Sequence, residues 1–373
     1  MPNCITSPRP EGAKTSAAAS VRLRHLTVKP VHGCRYNCPY CASRQELFRK
    51  SRQAKLRRQE WAAVLEDADG LGCEYLDISG GEPTLYRDLP SLIWEAKRRG
   101  WFVSLNSTGF GIPEAIDALI HVCLDQVMVS LISLDPARHD SLRQAPGSHD
   151  FAVRAIRLIA ASPLRLILHF IVNRHNYREL PEVIDFAFAH RANGLSLIYP
   201  ENDSGLRYLL MSGEDIVRFR EQVIPESLRH YARYRLAPDA SHENLKKLYA
   251  GHGTLSDFAA GIYWPDHEEA HARCRKPEEF ALIYANGDVL PCNSVEYTHD
   301  PIVGNIRQQG LKEIWTGEGY TRFRRERMDF CRLCPTGRHT GIAICATDNP
   351  PYAAPVIRRV PDGLPPRRPG GLR

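Results

Sequence analysis

The chain of 373 residues has no apolar run long enough to cross a bilayer as a helix, which excludes an integral membrane protein built on helices. Its opening stretch, MPNCITSPRPEGAKTSAAAS, lacks the apolar core of a secretory signal, and 1–21 is expected to be a disordered leader. No G-x-G-x-x-G motif joins a strand to a helix, so the usual sign of a nicotinamide dinucleotide site is missing. The basic tail, 349–373, has Arg358, Arg359, Arg367, Arg368 and Arg373 among prolines and glycines, with no interleaved aromatics. Single-strand binders stack bases on aromatics between their cations, so the tail reads as solvated chain and nucleic acid is not an expected partner. A net charge of +6 is modest, and 43% hydrophobic with 25% charged residues is ordinary for a soluble globular protein. The expected location is the cytoplasm, away from membranes.

Cysteine, by contrast, is plentiful. Eleven cysteines in a chain without a secretory signal point to metal binding rather than disulfides. Cys4, Cys73 and Cys123 are singletons; the latter two end apolar helices and read as core thiols. The other eight form two groups. Cys34, Cys38 and Cys41 make a C-x3-C-x2-C triplet in HGCRYNCPYCAS, with Tyr40 before the third cysteine. Cubane iron–sulfur clusters usually take four thiolates, so a triplet leaves one iron open to a small molecule. The competing reading is a zinc knuckle, with His32 as fourth ligand.

Between residues 22 and 200 short apolar runs alternate with amphipathic stretches. The expected strands are 26–31, 74–80, 101–107, 126–133, 164–172 and 194–199. The expected helices are 60–72, 89–100, 113–123, 149–162 and 177–191, several closing on glycine or basic residues. Six alternations with continuous apolar strands predict an α/β fold with a parallel sheet, either doubly wound or curved into a partial barrel. In both cases the loops after the strands carry the site, so the cysteine loop, Gly80-Gly81-Glu82-Pro83 and NSTG (106–109) converge on one rim. A helical, polar bridging segment is expected over 201–272. From 273 to 348 short strands, a hairpin turn at Asn286-Gly287 and five scattered cysteines mark a second unit.

The triplet with its aromatic, the strand ending in Ser79-Gly80-Gly81-Glu82-Pro83 and the six alternations, in this order, resemble the radical S-adenosylmethionine (SAM) enzymes over roughly residues 22–200. The resemblance implies a partial (β/α)6 TIM-like barrel, a [4Fe–4S] cluster on Cys34, Cys38 and Cys41, and SAM bound to the open iron. Reductive cleavage of SAM would give a 5′-deoxyadenosyl radical that takes a hydrogen atom from substrate. It also implies that Tyr40, Gly80, Gly81 and Glu82 line the SAM site. Ser130 lies in VSLISLD, which resembles the family's S-L-D-S-L-D run. Ile132 stands where the first aspartate is common, leaving Ser133, Asp135 and Arg143 as further candidates. Asn173, closing the fifth strand, is either a SAM contact or a turn asparagine.

Cys274, Gly287 and Cys292 fit C-x12-G-x4-C, and Cys331 and Cys334 follow as C-x2-C. This resembles the SPASM/twitch extension of the same enzymes. Five cysteines cannot fully ligate two cubanes, so one auxiliary [4Fe–4S] cluster on Cys274, Cys292, Cys331 and Cys334 is expected, in a pattern similar to 2-deoxy-scyllo-inosamine dehydrogenase. A zinc site on the same four cysteines is the structural alternative. Cys345 is left over, as an inert thiol, an exchanging ligand or a hydrogen-atom donor.

A fully ligated auxiliary cluster suits electron transfer. The expected reaction is dehydrogenation, epimerisation or decarboxylation of a sugar, nucleoside or aminocyclitol in natural-product (antibiotic) biosynthesis. The electron donor would be a flavodoxin or ferredoxin. Lys29, His169, Tyr199 and Glu201 end strands or start loops on the rim and are the candidate bases. The alternatives are a maturase of a ribosomally made peptide and a non-catalytic metal-binding module. Maturases often carry a leader-binding winged helix; the roughly twenty residues before the first strand are too few for one, although it can be a separate protein.

Overall fold

The computed structural model describes residues 21–41, 55–199, 207–234, 245–246, 249, 274–292 and 302–331. Glu201, Cys334 and Cys345, the side chain of Cys331, the tail and most of the leader and bridging segment lie outside the described residues.

Six strands form in the order expected: β1 (His25–Lys29), β2 (Tyr75–Ile78), β3 (Phe102–Ser107), β4 (Gln126–Leu131), β5 (Arg165–Ile171) and β6 (Gly194–Ile198). Each pairs in parallel with the next, and β1 through β6 lie side by side in sequence order. A doubly wound sheet reverses direction at a switch point. This one does not, so the partial-barrel alternative holds. The connecting helices are α1 (Arg58–Gly70), α2 (Leu89–Lys97), α3 (Ile112–His121), α4 (Pro136–Arg143), α5 (Ser148–Ala160) and α6 (Leu180–Ala189). Helix α4 is absent from the sequence expectation. Its body is polar, but its start is signalled: Asp135 caps it by accepting the Arg138 N–H at 2.7 Å, and Pro136 takes the first turn. Beyond the barrel, α7 (Gly213–Arg218) and α8 (Ile224–Arg233) flank a π-helical turn, in the segment expected to be helical.

The strands are apolar on one face only, a departure from the continuous apolar reading. Leu26, Val28, Leu76, Ile78, Val103, Leu105, Val127 and Leu168 pack in one core with helix residues such as Trp61, Leu65, Ile93, Ile156 and Ile184. Alternate residues point the other way and are mostly polar, among them Thr27, Lys29, Asp77, Ser104, Asn106, Ser130 and His169. Helices cover one face, and the other is a polar interior.

The second unit extends the same sheet. β7 (Phe280–Tyr284) lies parallel to β1 on the side away from β2; β8 (Asp288–Leu290) and β9 (Gly304–Asn305) follow antiparallel. Gly287 turns the β7–β8 hairpin at φ +95°. Phe280, Leu282, Tyr284 and Leu290 form a small apolar cluster. The short α9 (Lys276–Glu279) precedes β7; α10 (Leu311–Thr316) and α11 (Glu318–Cys331) complete the described part. Cys73 is a buried core thiol, pushed up to about 12 by desolvation. Cys123 is only half-buried, at φ +57° after α3, and so is not the core thiol expected.

Candidate functional site

The cysteine loop leaves β1 at its C-terminal end. Val31 and His32 are buried; Cys34 and Cys41 are exposed and Cys38 is buried. The Cys41 N–H donates to the Cys38 carbonyl at 3.1 Å, and the Tyr36 N–H donates to Cys34 Sγ at 3.4 Å. Partial burial pushes the Cys34 thiol up to about 11. A neutral thiol is a poor ligand, and the positive charge of iron is what favours its thiolate. Burial, and to a lesser extent the neighbouring Cys38, raises the pKa of the Tyr40 hydroxyl well above the ordinary phenol value.

Gly80 and Gly81 pack directly on this loop. The Gly81 N–H donates to the Val31 carbonyl at 3.2 Å and the Glu82 N–H to the Gly33 carbonyl at 2.9 Å. Gly80 has φ +128°, and a Cβ on Gly81 would lie 2.0 Å from the Gly33 carbonyl oxygen. The glycines are needed for the approach of two backbones, whatever ligand lies beyond. Glu82, expected to line the SAM site, is 0% exposed. Its carboxylate accepts from Thr84 N (3.2 Å), Thr84 Oγ1 (2.8 Å), Ser107 Oγ (2.9 Å), Thr108 N (2.8 Å) and Thr108 Oγ1 (2.6 Å). It therefore ties the GGEP turn to the end of β3.

Above β4 the expected polar contacts are largely internal. Ser133 donates to Glu179 at 2.8 Å, and Asp135 is occupied as the α4 cap. Asn173 is buried, donates to the Ile171 carbonyl at 2.9 Å and accepts the His175 N–H at 2.9 Å, the bonds of a turn asparagine. Arg143 is different. It is 2% exposed, donates to the Ser130 carbonyl at 2.9 Å, and lies 5.4 Å from the Tyr36 ring centroid. Its Nε has no acceptor, and among the described residues no carboxylate pairs with it. A buried cation without a counter-ion beside the cysteine loop fits an anionic group of a ligand, such as the carboxylate of SAM. The cysteine triplet, the glycine approach and Arg143 together fit the expected cofactor pair.

Of the candidate bases, Lys29 turns inward with its ammonium 5.3 Å from the Tyr284 ring centroid. His169 faces the same interior, and burial lowers it to about 4, leaving a neutral imidazole at pH 7. Its register partner Ser130 points with it. Tyr199 is buried in the helix-side core instead. The group that sequence reading missed is Asp77 on β2, which accepts from Asn106 Nδ2 at 2.7 Å. Burial pushes its carboxyl up to about 7. An aspartate inside a strand was the available signal.

In the second unit, Cys274 is half-buried ahead of α9 and Cys292 is buried against Phe323 of α11, the helix that ends at Cys331. Because β7 runs with β1 and β8 returns, both lie toward the end where β1 begins, opposite the Cys34 loop. The span from His25 to Lys29 is about 13 Å at ~3.3 Å per residue.

Comparison with known proteins agrees with this layout. The family model described as the radical SAM superfamily matches residues 28–187, and the SPASM model, an iron–sulfur cluster-binding domain, matches 274–335. The chain belongs to the radical SAM superfamily and is an enzyme of the SPASM-bearing kind, with a SAM-binding [4Fe–4S] cluster and auxiliary iron–sulfur binding as its cofactors. Among curated relatives it is 30% identical over 297 residues to a PqqA peptide cyclase of Gluconobacter oxydans, covering 78% of this chain and 75% of that one. It is 29% identical over 334 residues to a PqqA peptide cyclase of Streptomyces rochei, covering 86% and 83%. Among solved structures, Streptococcus suis SuiB bound to its precursor peptide SuiA superposes with a TM-score of 0.61 at 18% identity, over 82% of this chain and 67% of that one; the likeness shows the fold. The expected likeness to a cyclitol dehydrogenase is not carried by these relatives, which are peptide cyclases. Among the described residues no helix is long and apolar enough to cross a membrane.

Proposed function

We propose that this chain is a radical SAM maturase that links two side chains of a ribosomally made peptide. The observation that supports it best is the 30% identity to a PqqA peptide cyclase over 78% of the chain. The sugar or cyclitol reading has no comparable support, and the narrower labels of epimerase, lyase or antibiotic enzyme are set aside with it. In this reading Cys34, Cys38 and Cys41 hold the SAM cluster, and Arg143 receives the SAM carboxylate with Ser130 beside it. The cluster, when bound, supplies the electron that cleaves SAM and so generates the hydrogen-abstracting radical. Gly80 and Gly81 hold the cysteine loop against the sheet, and Glu82 fixes the turn after them. Cys274, Cys292, Cys331 and Cys334 hold one auxiliary cluster, which at the other end of β1 suits electron exchange rather than substrate contact. A small electron carrier is the partner that reduces the enzyme. The test is anaerobic: reconstituted chain, SAM, a reductant and a PqqA-type precursor peptide should yield 5′-deoxyadenosine and a peptide lighter by two hydrogens. Peptide returned unchanged, with an aminocyclitol oxidised in its place, would reverse the reading.

A further inference from the structure

The polar interior of the sheet is partly self-satisfied. Gln126 Nε2 donates to Ser104 Oγ at 3.2 Å while Gln126 Oε1 has no partner, and Thr27 Oγ1 lies 3.4 Å from His25 Nε2. Asp77 is the acid among these groups. It is the only carboxylate that β1–β6 turn to this face, and it is 8% exposed. Asn106 supplies 2.7 Å contact to one oxygen, and among the described residues no donor reaches the other. Lys29 of β1 is the charged group that faces it, without ion-pairing to it; from β3 it meets the neutral Asn106. A carboxylate buried this far would ordinarily collect more partners. Near neutrality it can exist in both protonation states, the condition for exchanging a proton with a bound molecule.

We propose that Asp77 is a catalytic residue that contacts the peptide side chain and takes the proton released when the link closes. This rests on the maturase reading above. Joining two carbons of a peptide removes two hydrogens. The first leaves as an atom, to 5′-deoxyadenosyl. The second leaves as a proton and an electron: the C–H bond breaks, an O–H bond forms on Asp77, and the electron goes to an oxidised iron–sulfur centre. Asn106 fixes the carboxylate so that its open oxygen faces the interior.

The test compares wild type with Asp77→Asn and Asp77→Glu in the reconstituted enzyme, reading iron content, 5′-deoxyadenosine and linked peptide separately. Asp77→Asn keeps the shape and the Asn106 contact but cannot take the proton. The ratio of 5′-deoxyadenosine to linked peptide should rise about 100-fold, the usual scale for loss of a general base. Asp77→Glu should recover part of it. The wild-type rate of linking should climb through a midpoint near pH 7 that is missing in Asp77→Asn. An unchanged ratio and pH profile overturn the role of Asp77 alone. Loss of iron together with both products makes Asp77 structural and also overturns it. A wild-type chain that releases no 5′-deoxyadenosine with the peptide overturns the maturase reading, and the role of Asp77 with it.

Discussion

Glu82 holds more of the site together than any other single side chain. Five donors from the GGEP turn and the end of β3 converge on its fully buried carboxylate. Glu82→Ala strands all of them, so the chain should lose about 3–5 kcal/mol of unfolding free energy, the cost of breaking a buried charged network. Denaturant unfolding of the metal-free chain checks this, and a loss under ~1 kcal/mol would mean that the turn is held by something else. Asp77 gives a prediction of opposite sign. Burial raises its folded value from 3.8 to about 7, so its charged form is disfavoured in the fold. Stability from the neutral acid is full below the unfolded value and is lost as pH rises through the folded one. Asp77→Asn should therefore raise the melting temperature at pH 8 and leave it unchanged near pH 4; an equal shift at both pH values would assign the effect to packing. Sequence marked Gly80, Gly81 and Glu82 as special but not why. Three of the five donors to Glu82 come from the end of β3, about 25 residues away, and only the sheet brings them to it.

At the scale of elements, the site is a contact between two loops. A methyl on Gly81 would collide with the Gly33 carbonyl, and backbone cannot swing aside as a side chain would. Gly81→Ala should keep its helical circular dichroism while the iron retained after reconstitution falls by half or more; full iron content would show that the approach is not needed to hold the cysteine loop. Helix α4 carries the other half of the site. It brings Arg143 over the loop, and Arg143→Met should weaken SAM binding at least 10-fold, as loss of a buried charge-assisted contact of ~1.5–3 kcal/mol requires, with iron content unaffected. Isothermal titration with SAM measures it. The apolar period revealed the six strands and five of the helices because burial on one face imposes it. It did not reveal α4, whose buried residues, His139 and Arg143, are polar; the Asp135-Pro136 start was its only local signal.

Over the whole molecule, one sheet carries the Cys34 loop and, at the opposite end of β1, Cys274 and Cys292. The order of motifs made the partial barrel readable, since each loop after a strand returns to the same rim. That β7 would join β1 could not be read, because parallel pairing across some 250 residues leaves no local trace. The same layout sets the iron stoichiometry. Wild type should hold about eight irons, two cubanes, and replacement of Cys34, Cys38 and Cys41 by alanine should leave about four. The central claim, a SAM-cleaving centre acting on a peptide, is tested most directly by one anaerobic reaction of chain, SAM, reductant and precursor peptide, read by mass spectrometry. The account predicts 5′-deoxyadenosine that depends on the peptide, and a product lighter by two hydrogens that vanishes in the Cys34, Cys38, Cys41 variant. Unmodified peptide, with 5′-deoxyadenosine formed equally in its absence and presence, would contradict it.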